Sequence, residues 1–291
     1  MSHGFELLHQ GKDQGISVLQ RRSGAVERHS LADLLRLMGI EASAAPDAEA
    51  YPLTMRQLHA GAPLFHEGTA AEAIYFVSVG MFKSFSTAED GYEQVLGFSA
   101  RGEVLGLDAI CGSHHPTGAV ALEDARVFVV PVRDVFALGN RVPGLDRVLH
   151  VAASRQLAQR GDIADVMAAV AAEVRLARFL VQLSARMGAC GQSTRRLLLR
   201  MSRRDIASHL GVAHETVSRS FGALADWGYL RVNYREVEIC DLDALKAFAR
   251  CTRGLVEEPP GRTRRRLAAV QGTGRRAAGP LIEPAAVVAA A

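Results

Sequence analysis

The sequence predicts an α+β protein built in three successive blocks. Short apolar runs broken by turn signals fill residues 51–135. An apolar stripe of helical period follows over residues 144–174, and two short amphipathic helices joined at a glycine occupy residues 202–227. Hydrophobic residues make up 48% and charged residues 22% of the 291, which fits globular domains with real cores.

Residues 1–50 read as an N-terminal extension. Its clearest element spans residues 30–38, where Ser30 can cap a helix that puts Leu31, Leu34, Leu35 and Met38 on one face. Residues 42–50 read as a linker. In residues 51–140 the pattern becomes that of strands. Ala73–Val79 ends at Gly80, residues 81–86 alternate up to Glu89-Asp90-Gly91, and residues 93–98 lead into Arg101-Gly102-Glu103. Residues 119–122 stop at Glu123-Asp124, and residues 126–132 close the series. Strands of this length and spacing predict an antiparallel barrel or jelly roll.

Residues 141–190 form the helical block. Leu145, Leu149, Ala152, Gln156, Gln159, Ile163, Val166 and Val170 follow alternating steps of four and three, a coiled-coil seam with two glutamines at its middle. One helix of about 30 residues extends beyond a small domain. A second copy of the chain is therefore the expected cover, in a parallel two-fold dimer; an ordinary core helix packed within the subunit is the alternative. A second helix over residues 173–187 ends at Gly188.

In residues 191–252, Ser202 and Asp205 stand in capping-box spacing at the head of a helix whose apolar positions are Ile206, Ala207 and Leu210. Gly211 closes it. A second helix starts near Ala213 or His214 and runs to Trp227, burying Val217, Phe221 and Leu224. Residues 229–232 and 236–240 then read as a two-stranded wing. Helix, glycine turn and helix is the helix-turn-helix arrangement, whose second helix enters the major groove of DNA by its N-terminal part. Turning Val217, Phe221 and Leu224 inward leaves His214, Glu215, Thr216, Ser218 and Arg219 at that end. Arg can bond guanine O6 and N7, Glu can accept from cytosine N4, and Ser can reach a base edge or a phosphate. The bland alternative is a solvated Glu215–Arg219 ion pair at i and i+4. Arg203 and Arg204, at the start of the first helix, are the expected phosphate clamps.

Charge follows the same division. Residues 195–235 sum to +5 and residues 253–291 to +4, whereas the first 194 sum to −4. A basic C-terminal region on an acidic chain is the footprint of a nucleic-acid reader. Residues 253–291 lack an amphipathic period and are expected to be disordered, with Arg262–Arg266 available for non-specific phosphate attraction. The N-terminus lacks a signal-peptide pattern and no run approaches 18 apolar residues, so a cytoplasmic protein with no membrane partner is expected. The four scattered cysteines form no C-x-x-C pair, as for reduced thiols.

The stretch MSRRDIASHLGVAHETVSRSFGALADWGYL resembles the DNA-binding module of the Crp/Fnr superfamily, and GFSARGEVLGLDAICGSHHP resembles the β-roll of its Fnr branch. The resemblance covers roughly residues 52–252. It implies a cyclic-nucleotide-binding-like β-roll, a long dimerisation helix and a C-terminal winged helix-turn-helix. It also implies a homodimer on a palindrome with half-sites one helical turn apart, and activation of transcription by contact with RNA polymerase. The E-x-x-S-R pattern of Glu215, Ser218 and Arg219 implies a TTGAT…ATCAA site. Ala213 departs from the Thr or Ser of many relatives, so the second helix should lack its side-chain N-cap, at a cost of about 1 kcal/mol.

Two signals known in that family are disfavoured by the residues. Cyclic AMP needs an acid after the roll's second glycine and an arginine before its last strands. Here Leu107 follows Gly106, and no Arg lies between Arg101 and Arg126. A Cys-ligated iron–sulfur cluster needs N-terminal thiolates, but residues 1–110 contain no Cys, and Phe128 stands at the roll position. Three modes of control stay open: DNA binding without a ligand, a redox-active thiol with Cys111 foremost, and haem or another small molecule in the roll. His114-His115-Pro116 reads as a structural turn rather than a haem ligand set. None of the G-x-G-x-x-G, P-loop, H-E-x-x-H or G-x-S-x-G motifs occurs, so no enzyme is expected. The competing class is a sensor with a degenerate DNA module that acts through protein contacts.

Overall fold

The computed structural model describes residues 29–40, 46–139 and 141–251. The basic tail over residues 253–291 lies outside the described residues, as do residues 1–28 and 41–45 of the extension.

Five strands make the first sheet: β1 (His29–Ser30), β2 (Pro52–Leu58), β4 (Ala73–Val79), β7 (Val104–Leu105) and β9 (Ala125–Pro131), in the order β1-β2-β9-β4-β7. Four make the second: β3 (Pro63–Phe65), β5 (Phe82–Thr87), β6 (Glu93–Ser99) and β8 (Gly118–Ala121), in the order β3-β8-β5-β6. Every pairing is antiparallel. β4 lies between β9 and β7 and is covered on both faces, which is why its sequence is nearly all apolar. Successive side chains alternate across it. Ile74 and Phe76 join the core shared with helices, while Val77 and the half-buried Tyr75 join the interior of the roll.

The five strand runs legible in the sequence are present, each within a residue or so at its ends. β2 and β3 both begin at proline, and β7 has two residues, so none of the three shows a clean alternating run. Gly80 terminates β4 with φ of 93°, and a Cβ there would sit 2.6 Å from the Ala125 Cβ. Gly80→Ala is expected to lower stability by at least about 2 kcal/mol through left-handed strain and overpacking, seen as a fall in the thermal unfolding midpoint.

Helix α1 (Leu31–Leu37) starts at Ser30, which forms a capping box with Asp33, and it buries Leu31, Leu34 and Leu35 as expected. The segment read as a linker is corrected in part. Residues 46–50 form α2 (Pro46–Ala50), and Ala48 is buried in the core with α1. Packing against neighbours, not its own periodicity, holds so short a helix. α3 (Val132–Gly139) leads to the long α4 (Pro143–Ala168), and α5 (Ala172–Ala189) follows a short break.

The long stripe is corrected more deeply. α4 stops at Ala168, six residues short of the pattern's limit, and Val170 is 78% exposed in the break. Side chains of α5 take up the freed carbonyls: Arg175 Nε donates to Ala169 O at 2.8 Å, and the Arg178 guanidinium donates to Asp165 O. The stripe itself faces its own subunit. Leu145 and Ala152 pack with α1, α3 and the first sheet, while Val166 packs with α5. Between them Gln156 Nε2 donates to Val104 O and Gln159 Nε2 to Glu103 Oε1, both at 3.0 Å. A heptad stripe states that something apolar covers it, not that the cover is a second chain. On the opposite face Ala153, Leu157, Gly161, Ala164 and Ala168 are exposed at steps of four and three, with Leu157 at 70%.

The C-terminal module contains β10 (Arg196–Leu198), α6 (Arg203–Leu210), α7 (His214–Asp226), β11 (Leu230–Asn233), β12 (Glu236–Ile239) and α8 (Leu242–Ala249). β10 adds a third strand to the expected wing, in the order β10-β12-β11. Its core is continuous with α5 and with Val95 and Phe98 of β6.

Candidate nucleic-acid interface

α6 begins as the sequence predicts. Ser202 Oγ accepts from Asp205 N at 3.1 Å, and Ser202 N donates to Asp205 Oδ2 at 2.9 Å. Gly211 ends the helix in the left-handed region, φ 62°, which costs glycine little and turns the chain within two residues into α7. Ala213 is the N-cap of α7 and supplies no side-chain hydrogen bond, as the sequence implied.

α7 is fixed from below. Val217, Phe221 and Leu224 are buried in one core with Leu176 and Leu180 of α5, and Ser220 Oγ donates to Glu173 Oε1 at 3.3 Å. His214, Glu215, Ser218 and Arg219 are exposed on the outer side, with Thr216 half-buried at its edge. Ser218 Oγ donates back to His214 O at 3.3 Å, leaving its oxygen lone pairs free. Among the described residues Glu215 and Arg219 form no ion pair with each other or with any other group. The guanidinium and the carboxylate are thus both available to an external partner one turn apart.

The two expected phosphate clamps occupy different environments. Arg204 is exposed and makes no ion pair among the described residues. Arg203 is half-buried, with its guanidinium carbon 3.5 Å from the Phe221 ring centroid and Nη2 donating to Tyr234 O at 3.2 Å. Burial lowers its pKa, although an arginine so placed stays charged. It is a strut between the recognition helix and the wing turn. A depression of about 440 Å³ opens beside it, bounded by Ser202, Arg203, Arg204, His214, Tyr234 and Arg235, without an acidic wall. Tyr234 stands at the wing turn with φ of 54° and 84% of its surface exposed. Tyr234 and Arg235 are not among the residues the sequence singles out, since a turn between two short strands carries no motif. Arg235 is one of the eight arginines behind the local surplus of positive charge.

Arg203 and Arg204 should therefore respond differently to mutation. Arg204→Ala should make the salt slope of DNA binding shallower by about 0.9 for each phosphate the arginine neutralises. Arg203→Ala should leave the slope unchanged while lowering the stability of the module, because it removes the strut on Phe221. Titrations at several salt concentrations, with melting curves, separate the two.

Within the roll, a cavity of about 370 Å³ reaches from Ser84, Gly106, Asp108 and Thr117 to Gln156 and Gln159 of α4. The roll's part of its lining holds no Arg or Lys; Arg160 and Arg186 border it from the helices, and Arg186 Nη2 is bonded to Glu103 Oε2 at 2.6 Å. His115 follows an isolated antiparallel bridge between Ala70 and His114, its N–H donating to Thr69 O and its carbonyl accepting from Gly68 N, both at 2.8 Å. Its ring is buried and stacks 3.9 Å from the Phe65 ring, and burial lowers its pKa. Cys111, Cys190 and Cys251 are exposed, Cys240 is half-buried, and no group of three metal-ligating side chains occurs among the described residues.

Comparison with known proteins gives a consistent picture. A Crp-like helix-turn-helix domain matches residues 174–248, and a cyclic nucleotide-binding domain matches residues 55–141. The chain is 36% identical over 186 residues to the transcriptional regulatory protein btr of Bordetella pertussis, covering 64% of this chain and 77% of that protein. It is 34% identical over 200 residues to the fumarate and nitrate reduction regulatory protein of Salmonella typhimurium, covering 69% and 80%. Among solved structures, FixK2 from Bradyrhizobium japonicum superposes with a TM-score of 0.62 at 26% identity, covering 69% of this chain and 99% of that one.

Proposed function

Because the chain belongs to the Crp/Fnr family of transcription regulators, with a helix-turn-helix DNA-binding domain, we propose that it works as a homodimer on a palindromic TTGAT-like site. The observation that carries this reading is the outer edge of α7. Arg219 reads guanine, Glu215 accepts from cytosine, and Ser218 contacts a base edge or phosphate, with Thr216 and His214 flanking them. Among the described residues neither Glu215 nor Arg219 is spent on an ion pair. Arg204 and Arg235 supply backbone contacts beside them.

The dimer uses the face of α4 opposite the one expected from sequence. Leu157, Gly161, Ala164 and Ala168 form an exposed stripe of small and apolar residues that lets two helices approach closely. A two-fold axis through it sets two recognition helices on half-sites one turn apart. Surface loops then contact RNA polymerase to activate transcription. The protein acts by binding, not catalysis, in the cytoplasm; among the described residues no helix is long and apolar enough to cross a membrane.

In this reading control runs through neither a cyclic nucleotide nor a Cys-ligated cluster, both of which the residues disfavour. The roll's own strands and loops offer a cyclic phosphate the Asp108 carboxylate and no guanidinium, which counts against that ligand. Phe128 is buried between β2 and β4, where it pairs with Met55 and Phe76, and provides no thiolate. DNA binding set by the abundance of the protein is the reading these residues support. Fluorescence anisotropy with the purified chain tests the whole proposal. A saturable complex of two protomers per TTGAT duplex is expected. Equal affinity for a scrambled duplex would overturn it in favour of a sensor acting through protein contacts. An absorption spectrum of the same preparation tests for haem; a Soret band would overturn ligand-free control.

A further inference from the structure

In the order β3-β8-β5-β6, β6 is an edge strand, and an edge presents unpaired backbone groups. Here the covering element is the first helix of the reading head. Val95 N donates to Ser208 Oγ at 2.9 Å, and Ser208 Oγ donates to Glu93 O at 2.8 Å, so one hydroxyl stands in for a neighbouring strand across two residues of the edge. Gln94 Nε2 donates to Ser208 O at 2.6 Å, near the C-terminal end of α6. At the other end, Lys83 Nζ of β5 lies 3.2 Å from Oδ1 of Asp205, the capping carboxylate, and 2.8 Å from Glu93 Oε2. Beside them the buried His209 ring lies 5.2 Å from Phe98 and 5.6 Å from Phe179. The roll thus holds both ends of α6, and the roll is itself bonded to α4 through Gln156 and Gln159.

We propose that Ser208, with Lys83 and Gln94, is a positioning clip that fixes the reading head to the roll's edge and so sets the spacing of half-sites the dimer accepts. Recognition helix, α6, β6, roll and α4 make one connected body, and the dimer axis runs along α4. With the clip closed, the separation of the two recognition helices is built in before DNA arrives. With it open, the head keeps α5, the apolar contact with Val95 and Phe98 and the Arg200–Glu123 ion pair, none of which fixes α6 end to end, and it tolerates other separations. The inference rests on the homodimer and palindrome proposed above.

The test uses the full chain and a series of TTGAT palindromes differing in central length. Adding one base pair to the best length moves the half-sites apart by about 3.4 Å and rotates them by about a tenth of a turn. The wild type is expected to disfavour that duplex at least about tenfold, comparable to one mismatched base pair. Ser208→Ala and Lys83→Met should each cut the ratio to below about threefold, whereas Lys83→Arg should keep it. A purely structural role would weaken binding to both duplexes alike and leave the ratio at its wild-type value; that result overturns the clip. Absence of any length preference in the wild type would likewise overturn the clip, whereas a complex of one protomer per duplex would defeat the dimer reading. If Ser208→Ala does not fold, Lys83→Met, which leaves the apolar core intact, decides the matter.

Discussion

Replacing Arg219 by alanine is expected to weaken binding to a TTGAT palindrome by about 1–3 kcal/mol per half-site and to relax selection at the guanine position. The effect enters twice, since a two-fold dimer presents the residue to both half-sites. The fold should be untouched, because Arg219 is exposed and bonded to nothing among the described residues. What distinguishes a base contact from a phosphate contact is the pattern of the weakening. Titration against duplexes substituted at the guanine should show the variant indifferent to a change that the wild type resists. Equal weakening on every sequence would make Arg219 a backbone contact.

The second large effect concerns assembly. Leu157→Arg places two guanidinium groups against each other across the dimer axis, where like charges repel. Folding of the protomer is preserved, since the side chain is already 70% exposed. The variant should sediment as a monomer. Its affinity for the palindrome should fall by about 10²–10⁴-fold, toward that of a single half-site, because the second half-site is no longer held at high effective concentration. Substitution of Gln159, on the stripe that sequence periodicity singles out, should leave the dimer intact and loosen the roll from α4 instead.

That contrast shows what a sequence can and cannot say here. The elements whose boundaries are set by local chemistry were legible: Ser202 and Asp205 open α6, Gly211 closes it, Gly80 ends β4, and Ser30 caps α1. The exposed edge of α7 was legible too, because three buried positions at helical spacing fix the opposite side. The partner of the α4 stripe was not legible. Periodicity marks which residues are covered, and the same stripe serves a second chain or the chain's own roll equally well. Arg203 shows the same limit. Its place at the start of α6 marks it as a candidate phosphate contact, and the Phe221 ring and the Tyr234 carbonyl that also hold it lie 18 and 31 residues away. The hydrogen bonds between β6 and α6 join residues more than a hundred positions apart and have no local signature.

In the proposed function α7 reads TTGAT-like half-sites as one of a symmetric pair. Selection of bound duplexes from a random pool by the full-length protein tests it most directly. Recovery of an inverted repeat of TTGAT with half-site centres about one helical turn, 10–10.5 base pairs, apart is expected. Recovery of no motif, or of a motif without two-fold symmetry, would contradict it.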